Sequence, residues 1–139
     1  MTPQEITRIH QSFNAQTMMK TLGATMVEVA KGAVEIHAPI LPIAQQQQGF
    51  GHAGLTFSIG DSAAGYAALT CLPLDQEVVT SEIKINLLAP AVGDYLIAKG
   101  SVAKAGRRMI VVTSQVFARN GQTDKLIAIL QGTMVPVEL

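Results

Sequence analysis

Between Glu35 and Asp75 the chain carries one formally charged residue, Asp61, set in the run Leu55-Thr56-Phe57-Ser58-Ile59-Gly60-Asp61-Ser62-Ala63-Ala64-Gly65-Tyr66. A carboxylate desolvated among such neighbours is destabilised unless a partner offsets the cost, so its protonation and reactivity are set by its surroundings. Perturbed carboxylates of this kind serve as general bases or nucleophiles, and Asp61 is the first candidate for chemistry. The alternative is a structural aspartate that bonds back to helix amides or to an interface partner. Other reactive types offer less. Cys71 has no acid–base partner nearby in sequence and reads as a buried structural thiol. No Cys/His cluster suggests a metal site. Gly49, Gly51 and Gly54 lack the strand and parallel βαβ context of a phosphate-binding fingerprint.

The elements that must position Asp61 follow from periodicity. Thr2-Pro3-Gln4-Glu5 has the form of a capping box with Pro at the first helical position. Ile6, Ile9 and Phe13 recur at helical spacing, and Gly23 offers a stop near residue 22. Residues 24–38 read as two strands around Lys31-Gly32. Pro39 and Pro42 close that hairpin, and Gln45-Gln46-Gln47-Gln48 follows as a polar loop. Residues 53–70 form an Ala- and Gly-rich helix whose small residues, such as Gly60, Ala64 and Ala68, let a sheet pack closely. Four apolar, β-rich segments follow at 77–88, 94–105, 109–119 and 126–136, separated by short Gly- and Pro-containing turns. Short turns predict an antiparallel four-strand meander. One apolar helix and one antiparallel sheet bury each other when the sheet curls around the helix.

At 139 residues the chain is most simply a single domain spanning 1–139, with 48% apolar and 14% charged residues. That apolar surplus is large for a small monomer and predicts a subunit interface. A net charge of +0 and 4% aromatics with no Trp argue against a nucleic-acid partner. A lone cysteine fits a reducing compartment, and Met1-Thr2-Pro3-Gln4-Glu5 has no secretory-signal pattern. The 53–72 stretch has membrane-span length, but Asp61 at its centre with Ser58, Ser62 and several glycines argues against one. The expectation is a cytoplasmic protein with no membrane partner.

The order of elements and the central run together resemble the hotdog-fold thioesterases. The nearest branch is that of the phenylacetate-pathway acyl-CoA thioesterase (PaaI-like, within the 4-hydroxybenzoyl-CoA thioesterase superfamily). Members show an Asn, a Gly, His-Gly-Gly, and an Asp seven residues after the last Gly. Here the stretch reads Gln46-Gln47-Gln48-Gly49-Phe50-Gly51-His52-Ala53-Gly54, and Asp61 falls at the expected place. The strand Thr80 to Leu88 with Ala89-Pro90-Ala91, and the turn Gly106-Arg107-Arg108, also resemble that family. Gln46 replaces the Asn with a longer amide arm, and Ala53 replaces the first Gly while keeping its backbone N–H. The resemblance implies an α+β hotdog fold, an antiparallel sheet wrapped around a long central helix with a short N-terminal helix.

The activity it implies is hydrolysis of an acyl- or aryl-CoA to free acid and CoA, with no cofactor. Asp61 would act as general base or nucleophile. Thr80, which aligns with a Ser/Thr in relatives, or the amide of Gln46 would hold the attacking water; Gln47 and Gln48 are the neighbouring alternatives. The N–H groups of Ala53 and Gly54 at the helix start would polarise the carbonyl, worth about 3–4 kcal/mol per donor in such sites. His52 reads as a loop-orienting or interface residue rather than a base. Phe57, Leu55, Tyr66 and Met109 are candidates for the acyl pocket, and Lys104, Arg107 and Arg108 for the CoA phosphates. Ala53 and Asp61 lie eight residues apart on one helix, about 12 Å, too far for one carbon to touch both. The site therefore needs the helix start of one subunit and the Asp of another. A homodimer is the minimal active unit expected, with a homotetramer beyond it. Two alternatives remain. A hotdog hydratase-dehydratase would pair a His with an acid, and a non-catalytic acyl-CoA-binding module would bind without turnover.

Overall fold

The structure, a computed structural model, describes residues 1–138. Helix α1 (Pro3–Ala15) starts on the expected capping box: Glu5 N–H donates to Thr2 Oγ1 at 3.2 Å and Thr2 N–H to Glu5 Oε2 at 2.7 Å. Its inward side is Ile9 and Phe13, whereas Ile6, expected on the same face, stays exposed. The helix does not run on to residue 22. Gln16 adopts an extended backbone (φ −72°, ψ 103°), and a second helix α2 (Thr17–Thr21) follows. The hairpin β1 (Thr25–Ala30) and β2 (Ala33–Pro39) turns at Lys31-Gly32, where Gly32 takes φ +77°. Helix α3 (Ala53–Leu69) comes next, then β3 (Gln76–Leu87), β4 (Tyr95–Ala105), β5 (Ile110–Asn120) and β6 (Thr123–Glu138).

These six strands form one antiparallel sheet in the order β1-β2-β4-β5-β6-β3. The expected four-strand meander is therefore corrected: β4, β5 and β6 meander, but β3 pairs with β6 at the sheet edge and β4 pairs with β2. The 88–94 connection makes this possible. It crosses one end of the sheet, held by Leu88 N–H to Ile127 O at 2.8 Å and by Gly51 N–H to Ala91 O at 2.9 Å. That second bond ties the crossover to the loop entering α3.

The sheet wraps α3, whose Leu55, Ile59, Ala63, Ala67 and Leu69 are buried against Ile36, Leu96, Ala98, Val116 and Leu130. Contact is closest at Gly100 of β4. An added Cβ there would stand 2.5 Å from Ala64 N and nearer still to the Ala63 backbone, inside the 3.0 Å that real Cβ atoms keep. At the far end of α3, Thr70 Oγ1 donates to Ala67 O at 2.6 Å and accepts Gly32 N–H at 2.7 Å, pinning the helix to the β1–β2 turn. Cys71, expected to be buried, is half-buried, because it lies just past the end of α3 where the chain turns toward the surface. Among the described residues, no helix is long and apolar enough to cross a membrane.

Candidate active site

Asp61 sits on the side of α3 that the sheet leaves half-covered, with Ser58, Ser62 and Gly65. Its Oδ1 accepts a hydrogen bond from Thr80 Oγ1 at 2.9 Å, and the same hydroxyl lies 3.2 Å from Met134 Sδ. Thr80 reaches the carboxylate from β3, where the pairing with β6 slips between Thr80 and Glu82. The extra residue, Ser81, bends the strand at this point. Burial pushes the Asp61 carboxyl above the ordinary carboxylate value, and the Thr80 hydrogen bond opposes part of that rise. The pair opens onto a cavity of about 400 Å³ lined by Tyr66, Leu69, Val78 and Met134 among others. A carboxylate held by one hydroxyl donor beside a partly apolar cavity can accept a proton from water or attack an electrophilic carbon.

Around the start of α3 the expected residues fall into different surroundings. His52 is the N-cap, and its Nδ1 accepts Gly54 N–H at 2.8 Å. The Gly54 donor expected to face a carbonyl is thus engaged by the His52 ring, a local cap that the sequence pattern does not display. Leu55 N–H donates to His52 O at 2.9 Å. Ala53 N–H has no recorded partner among the described residues. Gln46 lies at this end of the helix with Ala53, Thr56 and Leu88 around one depression. Its Oε1 accepts Gln48 N–H and, at 3.3 Å, Phe50 N–H, while its Nε2 donates to Gln48 Oε1 at 3.3 Å. Within one chain Gln46 and Asp61 line different depressions.

Phe57 and Tyr66, expected in one acyl pocket, line different cavities. Tyr66 shares the Asp61 cavity, whereas Phe57 lies with His52, Ala53, Gly54 and the buried Leu55. Lys104, Arg107 and Arg108 gather with Met109 at the exposed β4–β5 turn. The sequence reading missed Ser12, Gln16 and Glu77 in the Asp61 cavity. A helix expected to run unbroken past residue 16 gives no sign that its residues face a catalytic side chain. Among the described residues, no group of three or more His, Cys, Asp or Glu side chains is placed to hold a metal ion.

Comparison with known proteins places this geometry in a family. Residues 48–125, which include the entry to α3, Asp61 and Thr80, match the model of the Thioesterase superfamily. A thioesterase family protein of Silicibacter pomeroyi is similar over 97% of this chain and 99% of its own, with 33% identity and a TM-score of 0.94. A Saccharolobus solfataricus protein named as a candidate esterase is 32% identical over 99 residues, 70% of this chain and 69% of its own. A Bacillus halodurans protein whose structure was solved with CoA is 25% identical, with a TM-score of 0.78 over 96% of this chain and 84% of its own. The chain belongs to the thioesterase superfamily, as an α+β hotdog-fold member, and is by family a thioester hydrolase.

Proposed function

We propose that the protein hydrolyses acyl-CoA thioesters to the free acid and CoA, with Asp61 as the reacting carboxylate. The observation that carries this reading is the Asp61–Thr80 pair at 2.9 Å on the wall of a 400 Å³ cavity. As general base, Asp61 takes a proton from water while the water oxygen bonds to the thioester carbon. The carbonyl oxygen becomes an oxyanion, and its collapse breaks the C–S bond and expels CoA thiolate, which regains the proton from Asp61. As nucleophile, Asp61 bonds to the same carbon, releases the thiolate, and water hydrolyses the resulting anhydride. Thr80 orients the carboxylate in either course.

The oxyanion is met by the start of α3, with Ala53 N–H as the donor free for it and the helix dipole behind it. Ala53 lies about 12 Å from Asp61 along the helix, so the complete site takes the α3 start, with its Gln46 loop, from a second copy of the chain. A homodimer is the working unit on this reading. Support comes from β3, a sheet-edge strand with exposed Val79 and Leu87, and from the uncovered side of α3 beside it. Lys104, Arg107 and Arg108 supply a cationic turn for the CoA phosphates; the relative solved with CoA is consistent with that ligand. The hydratase reading is disfavoured because His52 Nδ1 is engaged as a cap, accepting Gly54 N–H at 2.8 Å. The test is release of free thiol from a panel of aryl- and alkyl-CoAs. Catalytic turnover of at least one supports the proposal, and tight binding without turnover supports a binding module instead.

A further inference from the structure

Met134 stands beside the Asp61–Thr80 pair, and its sulphur bears on what that pair can do. On β6 it is the cross-strand partner of Thr80, next to the point where the pairing of β3 slips at Ser81. Cross-strand partners project to the same face of a sheet, so sulphur and hydroxyl meet on the side of α3. Thr80 Oγ1 lies 2.9 Å from Asp61 Oδ1 and 3.2 Å from Met134 Sδ, hydrogen-bond distance to each. Met134 is fully buried, packed with Ala64, Ala68, Ile110 and Val112, and it reaches the wall of the Asp61 cavity. Packing alone does not call for sulphur there, because leucine fills such an apolar cluster as well. What the thioether adds is a weak acceptor that costs little to bury.

A hydroxyl has one proton to give. Thr80 therefore has two acceptors for one donor, and the protonation of Asp61 decides between them. The ionised carboxylate only accepts, so Thr80 donates to it. Once Asp61 carries a proton, the carboxyl can donate along the same 2.9 Å line, provided that the Thr80 proton leaves it. Met134 Sδ is the acceptor to which that proton turns. The Asp61–Thr80 bond then holds in both states. With a hydrocarbon in place of sulphur, the Thr80 proton stays on Asp61, and a donor held there favours the charged form and weakens the base. The other titratable groups on the cavity are Tyr66 of α3 and Glu77 of β3, the latter 3.7 Å from Arg8 of α1. Replacing sulphur by carbon alters none of these charges.

Resting on the proposed hydrolysis at Asp61, we infer that Met134 is a positioning residue: its sulphur receives the Thr80 proton as Asp61 takes one from water. The test is the acid limb of the kcat/KM–pH profile for one acyl-CoA. It is measured in wild type, Met134→Leu, Thr80→Val and the double variant, with folding checked by circular dichroism. Met134→Leu is expected to move the limb down by about half a pH unit. In the Thr80→Val background the same substitution is expected to leave the limb in place, because no hydroxyl proton remains to redirect. A packing role alone gives a different pattern: a limb unmoved by Met134→Leu, or moved equally with and without the Thr80 hydroxyl. Either result, or a limb moved up, overturns the inference while leaving thioester hydrolysis standing. No turnover of any acyl-CoA by wild type overturns both.

Discussion

Replacing Gly100 by Ala adds one methyl group where the sheet has no room for it. The new Cβ would lie 2.5 Å from Ala64 N and closer to Ala63 C and O. Relief requires α3 to back away from β4 by more than 0.5 Å, the gap between 2.5 Å and the 3.0 Å floor. Because the obstructing atoms are backbone, no rotamer change absorbs the overlap. Overpacking a core typically costs about 1–3 kcal/mol, and a backbone clash belongs at the top of that range or beyond. For a domain of this size about 3 kcal/mol lowers Tm by roughly 10 °C. Ala63 and Ala64 directly follow the turn carrying Asp61, so the same displacement disturbs the Asp61–Thr80 contact and lowers activity at temperatures where the variant is still folded. Thermal unfolding followed by circular dichroism, with thiol release measured below the transition, checks both effects. A Gly100→Ala protein melting within 1 °C of wild type would refute the packing argument, as would rescue by Ala63→Gly, which removes no backbone atom.

Four further outcomes follow from the site and the cationic turn. If Asp61 reacts as a carboxylate, activity rises with pH through its raised pKa, so the acid limb of the kcat/KM profile lies above the ordinary 3.8; a limb at or below that value contradicts the burial argument. The stability linkage runs the other way. A folded-state pKa above the unfolded value means stability is complete below pH 3.8 and lost as pH rises through the folded pKa, so Asp61→Asn should melt higher than wild type at neutral pH, with the difference fading below pH 3.8. Thr80→Val keeps the shape of β3 but removes the donor to Asp61, and kcat should fall about tenfold or more with the fold intact by circular dichroism. Changing Lys104, Arg107 and Arg108 together to Ala should raise KM for acyl-CoA and flatten its salt dependence, leaving kcat within about twofold; a KM unchanged at low salt removes this turn from CoA binding.

Much of this architecture is legible in the chain because the signals are local. The capping box at Thr2, the hairpin at Lys31-Gly32 and the small-residue helix around Asp61 each follow from residue type at short spacing. Asp61 stands out for the same reason, as one charge in a long apolar stretch. What is not legible depends on contacts far apart in sequence. Nothing in residues 88–94 announces that they cross the sheet instead of turning β3 back onto β4; the partner of β3 is β6, more than forty residues later. At the break, Gln16 bonds the hydroxyl of Tyr66, fifty residues away. The capture of Gly54 N–H by His52 Nδ1 depends on a ring rotamer rather than a pattern. Asp61 and Thr80 were both readable as candidates, but their contact rests on a strand irregularity at Ser81 that no residue type marks.

The central claim is that the Asp61 carboxylate drives thioester hydrolysis, and Asp61→Asn tests it most directly because the amide keeps an oxygen for Thr80 while losing the charge. Free thiol release is measured for wild type and variant against the best substrate of the acyl-CoA panel, with subunit state checked by size-exclusion chromatography with light scattering. The account predicts at least a hundredfold loss of kcat in a protein that is folded and assembled like wild type. Equal rates in the two proteins would contradict it and remove Asp61 from the mechanism.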